Sequence, residues 1–141
     1  MGSVTWDEEL AKLAVLNVKQ CQMKHDDCRN TKNYKYAGQN LAMSANYPAI
    51  SPKAAIEKAA NGWYSEYVDA DMSVINAYYS NGKKIGHFTA LVNEKNSKIG
   101  CAVLRTPYGR MTAYFTACNY ARTNMLGEPV YKSGRPASAC K

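Results

Sequence analysis

The sequence IGCAVLRTPYGRMTAYFTACNY, residues 99–120, is the stretch that decides the fold. Its β-branched and aromatic residues lie on both sides of Pro107-Tyr108-Gly109-Arg110, a run of residue types that favour a turn. The pattern therefore predicts two strands, residues 99–106 and 111–120, joined as a β-hairpin.

The hairpin places two cysteines close together. If Thr106 pairs with Met111, Cys101 lies opposite Thr116 and is a diagonal neighbour of Cys118 on the same face. A small change of register would bring the two sulfur atoms together. Cys101–Cys118 is therefore the disulfide that the hairpin geometry favours, and it would stabilise the fold by about 3 kcal/mol on the chain-entropy model.

Two helices are predicted before the hairpin. Thr5 and Glu8 have the spacing of a capping box, and the helix that follows is expected to run as far as Cys21. Ser51 and Pro52 form a second start signal, because proline suits the first helical position. The second helix carries an apolar stripe at helical spacing, formed by Ile56, Ala59, Ala60, Trp63 and Tyr67.

The rest of the chain predicts loops and a tail around one domain. Residues 24–49 are polar and rich in tyrosine, and we expect them to be irregular, while residues 86–93 form a short apolar segment of ambiguous period. We place a domain at residues 1–126 and an extended C-terminal tail at 127–141. The order of elements predicts an α+β fold: a three-layer α/β/α sandwich with a central antiparallel sheet.

Composition excludes several classes of protein. The 141 residues suit a single domain, and 46% hydrophobic residues are too many for a disordered polycation. The sequence has no apolar run of about 18 residues, so no transmembrane helix is expected. The net charge of +7 comes from residues 71–141, with ten basic and three acidic residues. These bases are scattered rather than clustered, so we expect no nucleic-acid binding, although a sulfated glycan or other polyanion is a possible partner.

The five cysteines are an odd number. They lack a Cys-x-x-Cys motif, and the chain has only two histidines, so a structural zinc site is not expected. Their wide spacing is typical of a disulfide framework in an oxidising compartment. The alternative is that all five thiols are reduced in a cytosolic protein.

Three residues have the chemistry of a site. His87 lies in an apolar segment, where an ionisable ring needs a partner. Glu66, at the edge of the apolar stripe, could be that partner, whereas His25 lies in a polar loop. A His–Glu pair suits proton binding or a divalent metal. The alternative is a structural histidine that is hydrogen-bonded to a buried carboxylate.

Several segments lead to a family resemblance. They are Gly38-Gln39-Asn40-Leu41-Ala42, Trp63-Tyr64-Ser65-Glu66, Gly86-His87-Phe88-Thr89-Ala90-Leu91-Val92, Gly100-Cys101-Ala102 and Cys118-Asn119-Tyr120. They resemble, in the expected order, the signatures of the CAP superfamily: cysteine-rich secretory proteins, antigen 5 and plant pathogenesis-related proteins of group 1. Asn17-Val18-Lys19-Gln20-Cys21, His25-Asp26-Asp27-Cys28-Arg29-Asn30 and Val130-Tyr131-Lys132-Ser133-Gly134 narrow the resemblance to insect antigen 5-like proteins of venom, saliva and other tissues.

The resemblance implies a secreted domain with a central cleft. Four positions are expected to line this cleft: His25, Gln39, Glu66 and His87. Gln39 stands where many members have Glu, and the lost carboxylate should weaken the binding of a hard cation. Two imidazoles still suit zinc or copper, although no cofactor is required.

The resemblance also implies that the first helix of the domain is missing before Thr5. Cys21 and Cys28 would then have partners upstream of this chain, and Cys140 would have a partner beyond Lys141. A local Cys21–Cys28 bridge is the alternative. A missing helix would expose apolar surface, so self-association is expected.

The sequence is compatible with three functions. The first is a secreted, non-enzymatic protein that binds a metal, an extracellular protein, or a small lipid or sterol on a helix face such as Ile56, Ala59 and Trp63. The second is a hydrolase with His87 as base, Glu66 as its orienter, and Thr89 or Ser65 as nucleophile. The third is a basic module for heparan-like polyanions.

Overall fold

A computed structural model of the chain describes residues 2–135, so Cys140 lies outside the described part. The strands are β1 (Thr5–Trp6), β2 (Gly38–Asn46), β3 (Lys98–Tyr108) and β4 (Met111–Tyr120). The helices are α1 (Glu8–Val18), α2 (Pro52–Ser65), α3 (Met72–Asn76) and α4 (Gly86–Leu91), with a 3₁₀ turn at Glu66–Asp69. None of the described helices is long and apolar enough to cross a membrane.

The strands form one sheet in the order β1-β3-β4-β2, with a helical layer on each face. On one face α1 packs in a cluster that consists of Ala14, Val18, Leu41 and Ala117. On the other face α2 and α4 pack in a cluster that consists of Ala59, Trp63, Ala90, Cys118 and Tyr120. The predicted α/β/α sandwich is therefore confirmed. Its three long strands are antiparallel, and the two-residue β1 adds a short parallel pairing to β3.

The predicted hairpin forms between β3 and β4, but its register differs from the prediction. Tyr108, rather than Thr106, pairs with Met111, so that only Gly109 and Arg110 remain in the turn. Gly109 has a φ of 58°, which glycine adopts without steric cost and which suits a two-residue hairpin turn. The turn is therefore tighter than the sequence Pro107–Arg110 predicts.

The corrected register aligns the two cysteines. Pro107 continues the strand in a pair with Thr112, since proline is tolerated where its nitrogen is not needed for the ladder. Cys101 then lies directly opposite Cys118, and the two form a disulfide with an S–S distance of 2.02 Å. The predicted disulfide is confirmed.

The first helix begins later and ends earlier than predicted. Asp7, not Thr5, is its N-cap, and the Asp7 carboxylate accepts a hydrogen bond from the Leu10 amide at 3.0 Å. Thr5 belongs to β1, where it pairs with Lys98. The helix ends at Val18, well before Cys21. The aspartate takes the capping position because Trp6, which would be the first helical residue after a Thr5 cap, belongs to β1 and pairs with Ile99.

The second helix begins as predicted. The Ser51 hydroxyl accepts a hydrogen bond from the Ala54 amide at 3.1 Å, and Pro52 occupies the first turn. Two other segments differ from expectation: Gly38–Asn46, within the stretch predicted to be irregular, is an edge strand, and the ambiguous segment contains the helix Gly86–Leu91. The strand was missed because its inward-facing positions include polar side chains.

Within the described residues, the chain after Leu126 packs against the domain at Val130. Val130 is buried in a cluster with Ile75 and Phe88, and its amide donates to the Ile75 carbonyl at 2.8 Å. Among the described residues, Cys21 and Cys28 are exposed and form no disulfide, so the alternative local bridge is absent. Exposed apolar side chains include Leu16, Val68 and Leu126. The expected self-association remains a prediction.

The N-cap of α1 makes the stability sensitive to pH. Tyr34 Oη donates to the Asp7 carboxylate at 2.6 Å. This hydrogen bond lowers the pKa of Asp7, as does the bond from the Leu10 amide. The bond to Asp7 also raises the pKa of Tyr34 to about 12. A lowered carboxyl pKa stabilises the fold above the unfolded-state pKa, and this stabilisation is lost as the pH falls through the folded-state pKa.

We therefore expect Tyr34→Phe to lower the free energy of unfolding by about 1 kcal/mol at neutral pH. The difference from the unsubstituted chain should shrink in acid, as Asp7 becomes protonated. Urea unfolding followed by circular dichroism at a series of pH values measures it. Tyr47→Phe, at a tyrosine that is 81% exposed, is the matched control. An equal loss in both variants would contradict the assignment.

Candidate functional site

A cleft with a volume of about 500 Å³ brings together the four residues predicted to line it: His25, Gln39, Glu66 and His87. The loop after α1 supplies the first of these, the start of β2 the second, the 3₁₀ turn the third and the start of α4 the fourth. Residues far apart in sequence therefore meet where α4 and the loop approach the end of the edge strand.

Glu66 holds His87 in a defined orientation. One carboxylate oxygen of Glu66 accepts from His87 Nδ1 at 2.7 Å. The other accepts from the backbone amides of His87 and Phe88 at 2.9 and 3.2 Å. Because Ile85 provides no side-chain cap for α4, the Glu66 carboxylate does so from another element. The His–Glu pair is thus also an anchor for the helix.

Gln39 holds His25 in a similar way. Its side-chain oxygen accepts from His25 Nδ1 at 2.9 Å and from the Asp26 amide at 3.2 Å. Its side-chain nitrogen donates to the Asp26 carboxylate at 2.7 Å and to Asn119 at 3.0 Å. A glutamate in place of Gln39 would face the Asp26 carboxylate with like charge, so the amide suits this neighbour.

Three polar residues that the sequence did not single out support the cleft: Asp26, Asn40 and Asn119. Asn40 is buried, and its amide nitrogen donates to the His87 carbonyl at 3.0 Å and to Tyr120 Oη at 3.1 Å. Burial raises the pKa of the Tyr120 hydroxyl. The available signal was Asn119 at the end of the predicted strand 111–120, because a buried amide needs specific partners.

The rim of the cleft is mainly basic. Arg29, Lys83 and Lys84 line it, and among the described residues Glu66 is the one acidic residue in this lining. Arg29 donates to the backbone carbonyls of Ala37 and Asp26, and Lys83 pairs with Asp69 at 3.2 Å. The rim is therefore not a negatively charged environment of the kind that hard cations prefer.

Glu66 and Gln39 both hydrogen-bond to a histidine ring, which limits the oxygen atoms left to coordinate a metal. Within residues 2–135 no three His, Cys, Asp or Glu side chains come close enough to form a metal-binding group. Both histidines line the cleft, and these hydrogen bonds leave the Nε2 atom of each ring without a partner among the described residues. The four predicted positions thus divide into two possible ligands, His25 and His87, and two residues that orient them.

The hydroxyls considered as nucleophiles are committed elsewhere. Thr89 is fully buried, and its hydroxyl donates to the Ile85 carbonyl at 2.8 Å. Ser65 donates to the Gly62 carbonyl at 2.7 Å. Neither hydroxyl is hydrogen-bonded to His87, whose Nδ1 is bound by Glu66.

The helix face considered for a lipid is largely core. Ala59 and Trp63 are buried, and Trp63 Nε1 donates to the Leu41 carbonyl at 3.0 Å. A groove of about 290 Å³ remains between α2 and β2, and it reaches Glu66 and His87 at one end.

These elements and the cleft define a class of protein. Residues 1–120 match the family model described as CAP, the cysteine-rich secretory protein family, and the chain belongs to this family.

The individual relatives belong to the venom-allergen branch. The chain is 41% identical over 145 residues to Venom allergen-1 of Aedes albopictus, in a match that covers 100% of the chain and 57% of the relative. It is 47% identical over 107 residues to Antigen 5 like allergen Cul n 1 of Culicoides nubeculosus, which covers 74% of the chain and 48% of the relative. The chain thus spans about half the length of these curated relatives.

Solved structures share the fold. The crystal structure of NaASP2 with Zn²⁺ superposes with a TM-score of 0.74 at 30% sequence identity, covering 98% of this chain and 70% of that chain. The crystal structure of Na-ASP-1 superposes with a TM-score of 0.75 at 22% identity, covering 98% and 34%, which supports the fold alone.

We expect Glu66→Gln to destabilise the protein by about 1–3 kcal/mol, because it removes the charge from three hydrogen bonds made by a carboxylate that is 12% exposed. Glu57→Gln is the matched control. Its carboxylate is 61% exposed and pairs only with Lys53 at 3.7 Å, so the change should stay below about 0.5 kcal/mol. Chemical denaturation measures both, and equal losses would contradict the anchoring role of Glu66.

Proposed function

We propose that this chain is an extracellular, non-enzymatic binding domain whose cleft binds zinc or copper through His25 and His87. The observation that carries the proposal is that each ring uses Nδ1 in a hydrogen bond to an acceptor. Its Nε2 is then left free of partners among the described residues.

The hydrogen bonds define the tautomer of both rings. The Glu66 carboxylate can only accept, so a neutral His87 carries its proton on Nδ1. The Gln39 oxygen also accepts from the Asp26 amide, which assigns the orientation of the Gln39 side chain and makes Nδ1 of His25 a donor. The lone pair of each neutral ring therefore lies on Nε2, the atom that a metal would take.

This arrangement resembles the outer shell of metal sites. Histidine ligands usually donate their second ring nitrogen to a carboxylate or carbonyl oxygen, which orients the ring and raises its basicity. Imidazole nitrogens suit zinc and copper, whereas calcium and magnesium prefer oxygen ligands. The bound metal would supply a Lewis-acidic centre. The similar protein NaASP2 has a crystal structure with Zn²⁺, which supports this choice of metal.

Two further observations support a binding role outside the cell. The hydroxyls of Ser65 and Thr89 donate to backbone carbonyls of the helices, so neither is a nucleophile that His87 could activate. A disulfide closes the central hairpin, and disulfides persist mainly in oxidising compartments. The relatives named venom allergens agree with this location.

Zinc binding can be measured by titration calorimetry on a Cys21→Ser, Cys28→Ser background. The background removes two exposed thiols that would bind zinc by themselves. We expect one zinc ion per chain, and we expect His25→Ala or His87→Ala to weaken binding roughly tenfold or more, since each removes one of two protein ligands.

Glu94→Gln should leave zinc binding unchanged, because within residues 2–135 this carboxylate bonds only to the Lys132 amide. Copper is tested in the same way. Retention of full zinc affinity in both histidine variants would refute the proposed site.

A further inference from the structure

Strand β2 is an edge strand, and part of its outer edge lacks partners. In an antiparallel pair, alternate residues turn both backbone groups toward the partner strand. The Leu41 carbonyl faces away from β4, since it accepts from Trp63 Nε1 on the opposite side. Met43 and Ala45, in the same phase, therefore also point their N–H and C=O groups outward.

The groups at Met43 are open. Among the described residues neither the Met43 amide nor its carbonyl has a hydrogen-bond partner. The groove of about 290 Å³ runs along this edge, and its lining includes Leu41, Ala42, Met43 and Ser44 in succession. Consecutive strand residues have side chains on opposite faces, so some of the four line the groove through the backbone edge of the strand. Thr116 of β4, the partner of Ala42, also lines it, so the groove continues from the edge onto the sheet face beneath α2.

Helix α2 forms the opposite wall of the groove, and its small side chains leave room for an extended peptide. It contributes the small residues Ala55, Ala59 and Gly62. A Cβ at Gly62 would meet nothing within 4 Å, so the space above this residue is open. The groove is therefore shaped by a hydrogen-bonding edge on one side and a low helical surface on the other.

Charge marks one end of the groove. Lys58 lines it and donates to Asn46 at 3.3 Å, and within residues 2–135 it forms no ion pair with a carboxylate. An acidic side chain on a bound segment could pair with Lys58. A second folded copy fits less well than a peptide. If the β2 edges of two copies paired, the α2 helix beside each edge would collide with the α2 helix of the other copy.

We propose that this groove binds an extended peptide segment of a partner protein, which adds as a fifth strand to β2 and places an acidic side chain near Lys58. Met43 supplies an amide donor and a carbonyl acceptor to the added strand, and Leu41 supplies its amide. Strand addition of this kind takes its affinity from backbone hydrogen bonds and its specificity from alternate side chains. The groove reaches Glu66 and His87 at its other end, but Met43 lines this groove and not the cleft, so zinc titration does not test the inference.

The test begins with a phage-displayed library of random linear dodecapeptides, selected on the immobilised full chain. We expect enrichment of peptides that combine alternating apolar residues with an acidic residue. Kd is then measured by calorimetry for one synthetic peptide. Two N-methylated versions of that peptide are then compared, one methylated at the odd-numbered and one at the even-numbered backbone nitrogens. The version whose methyl groups face β2 should lose binding, and the version whose methyl groups face away should keep it.

Two pairs of variants locate the site. Met43→Pro removes the outward amide inside the groove, and an edge strand tolerates proline at such a position. We expect it to raise Kd roughly tenfold or more. Ala45→Pro removes an outward amide beyond the groove lining and should leave Kd unchanged. Gly62→Leu should block the groove, whereas its control Gly62→Ala should not, and this pair decides the matter if a proline variant fails to fold.

Three outcomes would overturn the proposal. In the first, no peptide is enriched. In the second, the selected peptide binds Gly62→Leu and Met43→Pro as tightly as the unsubstituted chain. In the third, sedimentation shows a dimer in which the Met43 amide is protected from hydrogen exchange without peptide, so that a second copy covers the edge.

Discussion

The close approach of α1 to the sheet is the constraint on which the remaining structure depends. A Cβ at Gly100 would collide with the backbone of Leu10 and Ala11, so only glycine permits this contact. Asn119, the partner of Gly100 across the hairpin, is fully buried. Its amide nitrogen donates to the Leu10 carbonyl at 3.1 Å, while its oxygen accepts from Gln39. An unpaired buried amide would be costly, so helix, hairpin and edge strand must meet in this one arrangement.

The same contact sets the geometry of the cleft. The Asn119 oxygen accepts a hydrogen bond from the Gln39 side-chain nitrogen, which positions the Gln39 amide. The Gln39 oxygen then accepts from His25, and the Gln39 nitrogen also donates to Asp26. The second histidine depends on a separate anchor, the Glu66 carboxylate at the start of α4. The cleft therefore has two anchors, Gln39 and Glu66, and Asn40 links them because it donates to the His87 carbonyl. Both orienting side chains are engaged by these hydrogen bonds rather than by a metal.

Local signals were enough to predict several elements. Ser51-Pro52 and the apolar stripe after it predicted α2, because capping and periodicity depend on neighbouring residues alone. The hairpin was predicted for the same reason, whereas its register was not, since the turn could close over Pro107-Tyr108 or after them. The edge strand Gly38–Asn46 was missed, because its buried Gln39 and Asn40 are polar and gain their partners from distant elements.

By itself the sequence determined the class of fold, the likeness to the CAP family, the Cys101–Cys118 disulfide and the residues to expect at the cleft. The fold class, the disulfide and the Glu66–His87 pair follow from residue types and spacing along the chain, whereas His25 and Gln39 are expected at the cleft from the resemblance to the family. Only the tertiary structure decided that Glu66 and Gln39 orient the histidines, that Asp26 and Asn119 complete the network, and that the edge of β2 is open beside α2. The physical reason is that hydrogen-bond partners of buried polar groups, and the gaps between packed elements, depend on residues that meet only in the folded chain.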